Sequence, residues 1–340
     1  MPSLAVVVVT YNSAEALRRT LPALAGELRD EDELIVVDNA SRDETVEVLA
    51  ELAPGATVVE SRVNLGFAAG CNAGAQAAGA ALLCFLNPDA LPQPGFRDAI
   101  ERPALDGSRW TAWQALVASH EGRLVSSAGG VLHFTGIAWA GAAGLPRGSR
   151  VERLGFLSGA CLVVPRERFL ELGGFADEYF LYHEDVDLSL RVLLSGGTIG
   201  VCEDAVVDHD YDFDKGPAKW RHLERNRWAT IVRTYPAPLL ILLAPALVAV
   251  ELAVVVASLR GGWWRQKLLA AADSVERLPT WVRQRRRVQR GRTVSSGRFA
   301  ASMVATLDSE YIGGPTRSPL VSAPLRAYWG AVRALLDLKA

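Results

Sequence analysis

The segment Phe175–Arg191 concentrates acidic side chains in an otherwise aromatic and aliphatic stretch of the chain. Glu184, Asp185 and Asp187 come just where an apolar helical pattern begins, so they predict the first turn of a helix. Carboxylates at such a position can simply be stabilised by the free backbone N–H groups and the helix dipole. They can also take up protons or bind a cation, which is the chemistry of an active site.

Acidic residues elsewhere in the chain favour the active site. Asp89 ends an Asn-Pro-Asp tripeptide that follows an apolar strand pattern, and His209 lies between Asp208 and Asp210. Enzymes of the α/β class assemble their sites from residues at the carboxyl ends of several strands. We therefore expect the acidic segment, Asp89 and His209 to converge on one polar site.

The elements that must position these residues repeat at a regular rhythm. Apolar, β-branched strand patterns at 4–9, 34–37, 57–60 and 82–86 each lead into a polar loop, and helical patterns follow. This repetition predicts βαβ units and a mostly parallel sheet. Further strands are predicted at 110–117, 124–128, 155–165, 198–202 and 205–207, and helices at 166–172 and 221–235.

The residues at the strand ends suit a nucleotide. Thr10, Tyr11 and Asn12 offer a ring for stacking and an amide for hydrogen bonds, and Asp38 offers acceptors to a base or ribose. Asn12 and Asp38 can instead be helix caps, although four successive polar strand ends favour the nucleotide. The chain has neither the Gly-x-Gly-x-x-Gly fingerprint after its first strand nor the Gly-x-x-x-x-Gly-Lys-Ser/Thr loop, so dinucleotide oxidoreductases and P-loop enzymes are poorly supported.

Composition indicates a globular protein of one large domain or two. The 340 residues are 50% hydrophobic, and the formal charge of −2 gives no global attraction for nucleic acid. The four cysteines lie singly without metal-type spacing, which is typical of reduced core residues in a cytoplasmic protein. Residues 1–3 lead directly into the first apolar run, so we expect no secretory signal.

The last third of the chain joins an apolar stretch to a basic one. Residues 236–259 are long enough to cross a membrane once, but Pro245 should break the helix and Glu251 would be costly in hydrocarbon. A transmembrane span, a re-entrant or interfacial hairpin, and a buried pair of core helices are the alternatives. The predicted helix before it contains Glu224–Trp228, which would close over a diphosphate or reach an acceptor phosphate.

Residues 260–298 carry eleven Arg and Lys against two acidic residues, with Trp263, Trp264 and Trp281 interleaved. Basic, Trp-rich sequence beside an apolar stretch suits the anionic cytoplasmic leaflet of a membrane. Such a run is also compatible with nucleic acid, but nothing else in the chain resembles a nucleic-acid module. We therefore expect contact with the inner face of the plasma membrane and no nucleic acid.

Five motifs occur in a fixed order over roughly the first two-thirds of the chain. They are Val-Val-Val-Val-Thr-Tyr-Asn at 6–12, Val-Val-Asp-Asn-Ala-Ser-Arg-Asp at 36–43, Asn-Leu-Gly-Phe-Ala-Ala-Gly-Cys-Asn-Ala-Gly at 64–74, Leu-Asn-Pro-Asp at 86–89, and Gly-Gly-Phe at 173–175 with His-Glu-Asp-Val-Asp-Leu-Ser-Leu-Arg at 183–191. Together they resemble the family 2 glycosyltransferases, and most closely the rhamnosyltransferase-like branch that acts on bacterial cell-envelope polysaccharides.

The resemblance implies a GT-A fold, a Rossmann-like and mostly parallel sheet flanked by helices, here with a helical, membrane-associated extension. It divides the chain into a nucleotide-sugar-binding half at 1–105, an acceptor-binding and catalytic half at 106–215, and the extension at 216–340. It also implies a nucleotide-diphosphate sugar donor, a divalent metal and inversion at the anomeric carbon. Carried over by position, the donor-binding residues are Thr10, Tyr11, Asn12, Asp38, Asn64, Gly66 and Asn87.

The resemblance also assigns the metal and the catalytic base. The family's Asp-x-Asp metal motif is Asn-Pro-Asp here, so Asp89 keeps the carboxylate, and His209 would supply a second ligand. A nitrogen ligand favours Mn²⁺ over Mg²⁺. Asp185 matches the family's general base, Glu184 would orient the acceptor or share that work, and Asp187 would cap the helix.

The donor expected first is dTDP-rhamnose, with UDP-galactose or UDP-N-acetylglucosamine behind it, and the acceptor is a glycan linked to a polyprenyl diphosphate. A nucleotidyltransferase is an alternative that would need a Gly-rich, basic loop after the first strand, which the chain lacks. A non-catalytic, membrane-tethered protein that binds nucleotide sugars is the other alternative, because Asn87 replaces an acidic residue.

Overall fold

The computed structural model describes residues 2–209, 216–308 and 318–337. Asp210 lies outside these ranges. The strands are Leu4–Thr10 (β1), Glu33–Asp38 (β2), Thr57–Glu60 (β3), Leu82–Leu86 (β4), Leu91–Pro92 (β5), Ala112–Ser119 (β6), Leu124–Ser127 (β7), Gly130–His133 (β8), Ala138–Ala140 (β9), Cys161–Pro165 (β10), Ile199–Asp208 (β11) and Met303–Val304 (β12). The helices are Ala14–Glu27 (α1), Thr45–Leu52 (α2), Gly66–Ala77 (α3), Phe96–Leu105 (α4), Arg166–Glu171 (α5), Glu184–Leu194 (α6), Ala218–Thr234 (α7), Ala237–Arg260 (α8), Trp264–Arg290 (α9), Ser296–Ala300 (α10) and Pro319–Asp337 (α11).

The main sheet begins with the four parallel strands that the sequence predicts, in the order β3-β2-β1-β4. Because these strands are parallel, all four carboxyl ends lie at one edge of the sheet.

Every residue of β1 is buried, as expected for a strand covered on both faces. Alternate β1 residues contribute to two different apolar clusters, one shared with α1, α2 and α4 and the other with α3, α5 and α6.

The second half of the sheet continues as β10-β6-β11-β5, with β10 antiparallel to β4. The sequence predicts a longer strand at 155–165, but residues before Cys161 leave the sheet and form a loop beside α6. It also predicts two short strands at 198–202 and 205–207. They are a single strand, β11, because an irregularity between Cys202 and Val206 shifts the register without ending the strand.

Helix α8 runs without a break through Pro245, so the predicted break is wrong. One proline removes one backbone hydrogen bond, and the neighbouring turns of this long helix continue past it. Within the described residues, α8 is the one helix that is long and apolar enough to cross a membrane, and 17% of its most apolar window is buried. This small fraction is unlike that of a core helix.

The buried side of α8 packs against the part of the chain that carries the acidic segment. Leu239, Leu243 and Leu247 pack in an apolar cluster with residues of α10, α11 and the outer face of α6, including Val186 and Leu190. The opposite face of α6 packs against the main sheet. Helix α6, which carries the acidic segment, is thus held between the sheet and the carboxyl-terminal helices.

Candidate active site

Asp38 lies at the end of β2, directly beside Thr10 at the end of β1. Its carboxylate accepts hydrogen bonds from the Thr10 hydroxyl at 3.1 Å, the Ser41 hydroxyl at 2.5 Å and the Ser41 backbone N–H at 3.1 Å. The side chain is therefore buried and engaged in fixing the loop after β2. Its contact with a nucleotide stays a prediction.

Tyr11 and Asn12 form the exposed turn after β1. Tyr11 is 48% exposed, which leaves its ring accessible to a ligand. Asn12 adopts a left-handed conformation, and its side-chain oxygen accepts a hydrogen bond from the Arg42 backbone at 2.8 Å. The alternative of helix capping is not seen, because the residues preceding α1 and α2 are Ser13 and Glu44.

The turn that starts α3 is tied to the acidic segment. The Asn64 side chain accepts the Gly66 N–H at 2.8 Å, and Gly66 has a φ of +82°. A Cβ atom at Gly66 would lie 2.5 Å from the Phe180 carbonyl oxygen, so glycine is required on two grounds. The same carbonyl accepts the Phe67 N–H at 2.7 Å. The predicted donor-site turn and the segment before α6 therefore touch directly.

A cavity of about 370 Å³ opens at the carboxyl edge of the sheet. Its wall includes Asn87, Glu184, Asp185 and His209, which the sequence placed in one site, and Phe67 from the start of α3. Thr10, Tyr11, Asn12, Asp38, Asn64, Gly66 and Asp89 lie outside this lining. The structure thus brings the catalytic candidates together and leaves most nucleotide candidates on adjoining loops.

Asp185 and Glu184 differ in their hydrogen bonds. The Asp185 carboxylate accepts the Gly159 N–H at 3.0 Å and the Val186 N–H at 2.7 Å. Burial raises its pKa to about 6, against the effect of these two N–H donors. Burial and the neighbouring Asp185 raise the pKa of Glu184 well above its usual value, and Glu184 Oε2 has no hydrogen-bond partner among the described residues. Asp185 is therefore ionised near neutral pH and can accept a proton, whereas burial favours the neutral form of Glu184.

Asp89 and His209 meet because β5 pairs with the end of β11, where Asp208 faces Leu91. His209 Nε2 lies 3.1 Å from Asp89 Oδ1, and the histidine is buried while the aspartate is 47% exposed. No group of three or more His, Cys, Asp or Glu side chains suitable for a metal occurs in the part of the chain that the structure describes. The pair offers one nitrogen and one carboxylate ligand, which suits a divalent cation that takes its other ligands from substrate and water.

Asp187 does not cap α6, since His183 occupies that position. It is fully buried, and its carboxylate lies 2.7 Å from Arg191 Nε and 3.3 Å from Arg233 Nε. Burial alone would raise the pKa of Asp187, but Arg233 and Arg191 outweigh it and hold the pKa below its ordinary value. Asp187 therefore forms an ion pair that connects α6 to α7.

Asn226 on α7 is a residue that the sequence did not single out. Its amide nitrogen donates to the carbonyl oxygens of Tyr179, Leu181 and Tyr182 at 3.0, 2.9 and 2.7 Å. These carbonyls belong to the turn before α6, in which Phe180, Tyr182 and His183 have positive φ values. One side chain thus holds the strained turn that delivers Glu184 and Asp185. In the sequence, the only feature that distinguished Asn226 was its amide side chain between two arginines of a predicted helix.

The basic residues of α7 have structural partners. Arg225 donates to the Tyr179 carbonyl at 2.8 Å, and Arg227 pairs with Glu224 at 3.0 Å and with Glu251 of α8 at 2.6 Å. Both arginines are buried. The sequence-based expectation that 224–228 reaches out to phosphates therefore gives way to a role in holding the cavity wall, which includes Glu224 and Arg227.

Comparison with known proteins gives concordant matches. Residues 5–103 match the model for glycosyl transferase family 2. Over 260 residues the chain is 29% identical to an N-acetylglucosaminyl-diphospho-decaprenol L-rhamnosyltransferase of Mycobacterium tuberculosis, a match that covers 67% of this chain and 83% of that protein.

Solved structures with the same architecture include GalNAc-T7 with UDP, GalNAc and Mn²⁺ (TM-score 0.57, 17% identity, 70% of this chain and 49% of that one). This chain thus spans about half the length of that structure. A mannosyltransferase from Pyrobaculum calidifontis with GDP-mannose and Mn²⁺ also matches (TM-score 0.52, 20% identity, 85% of this chain and 86% of that one). The GT-A fold predicted from the sequence is confirmed.

Proposed function

We propose that the chain is a family 2 glycosyltransferase of the rhamnosyltransferase-like kind and that it transfers rhamnose from dTDP-rhamnose, with inversion, to a hydroxyl of a lipid-linked cell-envelope glycan. The acceptor is carried on a polyprenyl diphosphate and is met at the cytoplasmic face of the plasma membrane. The Mycobacterium tuberculosis relative, whose name specifies both a rhamnosyl donor group and a diphospho-decaprenol acceptor, supports these choices. The observation that carries the proposal is that Asp185 and His209, the partner of Asp89, border the same cavity.

Asp185 is the general base. Its carboxylate, oriented by the N–H groups of Gly159 and Val186, takes the proton of the acceptor hydroxyl. The hydroxyl oxygen then forms a bond to the anomeric carbon while the bond from that carbon to the diphosphate oxygen breaks on the opposite face. Glu184, whose neutral form is favoured by burial and by the neighbouring Asp185, orients the acceptor through a hydrogen bond.

Asp89 and His209 would hold a divalent cation, Mn²⁺ or Mg²⁺, at the donor diphosphate. When bound, the cation stabilises the negative charge that develops on the leaving nucleoside diphosphate. Asn87 at the cavity wall and the loops after β1, β2 and β3 hold the rest of the donor. The donor-binding residues in these loops are Thr10, Tyr11, Asn12, Asp38, Asn64 and Gly66.

The test compares Asp185→Asn with Glu184→Gln. Purified protein is incubated with dTDP-rhamnose, Mn²⁺ and N-acetylglucosaminyl-diphospho-polyprenol, and the release of dTDP is measured. Loss of a general base predicts a fall in turnover of roughly 10²–10⁴-fold for Asp185→Asn. Glu184→Gln keeps a side chain of the same length that can donate a hydrogen bond to the acceptor, so it should retain much more activity. Donor binding, followed by thermal shift, should be unchanged in both variants.

The outcomes separate the alternatives. Near-full turnover by Asp185→Asn would refute the assignment of Asp185 as the general base. Release of pyrophosphate instead of dTDP would indicate a nucleotidyltransferase, and donor binding without any release would indicate a non-catalytic binding protein. Transfer from UDP-galactose or UDP-N-acetylglucosamine in preference to dTDP-rhamnose would correct the donor and leave the mechanism standing.

The cation site has its own test. Asp89→Ala and His209→Ala should each weaken Mn²⁺ binding in the presence of dTDP, measured by electron paramagnetic resonance of free Mn²⁺. His120→Ala, at an exposed histidine on another loop, is the matched control and should bind Mn²⁺ normally. Unchanged Mn²⁺ binding in both site variants would remove Asp89 and His209 from the proposal.

A further inference from the structure

We propose that α8 lies in the plane of the membrane interface, with its exposed apolar stripe in the lipid and its other side fastened to the catalytic part of the chain. This surface would fit the anionic leaflet of a bilayer. The inference rests on the proposed function only where it concerns the lipid-linked acceptor. The anchored position of α8 excludes a span while the fold is intact.

The exposed stripe follows the helical period. Ile241, Val248, Leu252 and Leu259 are 74%, 61%, 63% and 60% exposed, and their spacings of seven, four and seven residues place them on one face. No charged residue interrupts that face between Ile241 and Leu259. At 1.5 Å per residue the helix is about 36 Å long, so the stripe is a long apolar ridge in contact with solvent. Apolar patches of this size mark interaction surfaces.

The opposite side of α8 is tied to α7 at separate points. Tyr235, which ends α7, and Leu239 near the start of α8 are fully buried in one apolar cluster. Near the middle of α8, Glu251 pairs with Arg227 at 2.6 Å and accepts a hydrogen bond from Trp228 at 3.1 Å. After its end, the Trp263 ring stacks on Trp220 at 4.7 Å between centroids.

These anchors exclude a span of the bilayer. Trp220, Arg227 and Tyr235 follow one another along α7 and its end, so α8 runs in the direction opposite to α7 and is tied to it at these points. A spanning helix would have to abandon all these contacts and expose buried Arg227. The sequence suggested that Glu251 would be costly in hydrocarbon. In the structure its carboxylate pairs with Arg227 and Lys267, so it does not face the lipid.

Helix α9 extends the same kind of surface and supplies its charge. Leu268, Val275 and Leu278 form a second exposed stripe. Its other side packs along α7, with Arg221 pairing to Asp273 at 2.7 Å and Lys267 to Glu224 at 2.6 Å. By helical periodicity the exposed arginines at 283, 286 and 290 lie beside this stripe. Apolar side chains bordered by arginines are complementary to an anionic lipid surface.

The turn between α8 and α9 connects this surface to the active site. Trp220, which stacks on Trp263 at the turn, also lines the cavity that contains Asp185. A second cavity, lined by Trp220, Trp263 and the turn residues Gly261 and Gly262, lies beside it. An acceptor whose lipid tail stays in the bilayer would therefore meet the cavity at this turn.

The first experiment measures vesicle binding by flotation of the full-length protein. Vesicles of phosphatidylcholine with phosphatidylglycerol should bind the protein, and pure phosphatidylcholine should bind it more weakly. Val248→Glu and Leu252→Glu should each reduce binding by about tenfold, because each loses the transfer of one apolar side chain. Leu105→Glu, at a 54% exposed leucine on α4, is the matched control and should bind as the unaltered protein does.

A second experiment distinguishes an in-plane helix from a span. An environment-sensitive dye is attached at Ile241→Cys, Val248→Cys or Leu259→Cys, and quenchers are placed at shallow or deep positions of the lipid chain. The in-plane arrangement predicts shallow quenching at all three sites. Deep quenching at 248 with shallow quenching at 241 and 259 would mean a span and would overturn the proposal.

Other results also decide the matter. If the vesicles fail to bind and lipid-free protein forms a dimer that Leu252→Glu breaks, then a second copy covers this face and the proposal is wrong. Release of dTDP with a short-chain, water-soluble acceptor should be the same for Leu252→Glu and the unaltered protein. Failure of the transferase itself would appear in that assay, whereas failure of the membrane inference would appear only with vesicles.

Discussion

Asp185 and Glu184 are adjacent in the sequence yet do different work in the proposed reaction, and the difference comes from their surroundings. Two backbone N–H groups point at the Asp185 carboxylate, while one oxygen of Glu184 is buried without a protein partner in the described chain. Burial raises the pKa of both carboxyl groups, and the neighbouring Asp185 adds to the rise at Glu184. A base whose pKa lies just below neutrality combines ionisation with useful basicity.

This environment predicts the acidic limb of the pH–rate profile. Asp185 acts only when ionised, so kcat/KM should rise with pH until about 6 and level off above it, because its pKa is about 6. Below that pH the rate should fall tenfold per unit. Release of dTDP at a series of pH values measures the profile. Glu184→Gln should keep the limb, and a limb near pH 4, the ordinary value for an aspartate, would contradict the prediction.

At the scale of elements, α7 positions α6 from the far side. Asn226 and Arg225 bond to the backbone of the turn before α6, and Arg233 reaches Asp187 inside it. The turn contains non-glycine residues with positive φ, which cost free energy unless their surroundings hold them. Helix α7 therefore determines where the proposed base lies, and Asn226 and Arg225 act on it through the backbone of the turn.

Asn226→Ala should release this turn. Three carbonyl oxygens lose their common donor, so we expect a loss of about 2–4 kcal/mol in the free energy of unfolding. We also expect a lower kcat with an unchanged affinity for the donor, whose proposed loops lie elsewhere. Denaturant unfolding and steady-state kinetics measure these effects. Thr234→Val is the matched control, because its hydroxyl bonds only to the Thr230 carbonyl of the same helix. A kcat equal to that of the control would contradict the positioning role.

At the scale of the whole molecule, a buried group of four charges joins the carboxyl-terminal helices to the active-site cavity. Arg227 and Lys267 each contact both Glu224 and Glu251, so the group is electrically balanced across α7, α8 and α9. Burial alone would raise the pKa of Glu224, but Arg227 and Lys267 outweigh it and hold the pKa at about 2. Helices α8 and α9 and the wall of the active-site cavity are thus one packed unit at this point.

Removing the charge of Glu251 should lower the stability of the fold. Glu251→Gln leaves two cations with one carboxylate, so we expect the free energy of unfolding to fall by about 2–3 kcal/mol, somewhat less than for a completely buried pair because Glu251 is partly exposed. Denaturant unfolding measures the change. Asp204→Asn, which breaks the exposed pair with Arg102, should cost less than about 1 kcal/mol. Equal costs for the two variants would refute the role of the network.

Local sequence determined much of this molecule. The parallel strands and the polar residues at their ends could be predicted because continuous apolar runs and the polar loops that follow them are encoded within a few residues. The start of α6 at Glu184 and the pairing of Asp89 with His209 at one sheet edge also agree with the sequence-based expectation. The family motifs then added the GT-A fold, which the structural comparisons confirm.

Only the tertiary structure decided which partner each polar side chain meets. The sequence alone suggests that Asp187 caps a helix, whereas in the structure it pairs with Arg233, 46 residues later. Likewise, the sequence suggests that Glu251 is a charge in lipid, whereas in the structure it pairs with Arg227 and Lys267. Asn226 gains its role from a turn more than forty residues away. Such pairings depend on how helices pack after the chain has folded, and no local pattern records them.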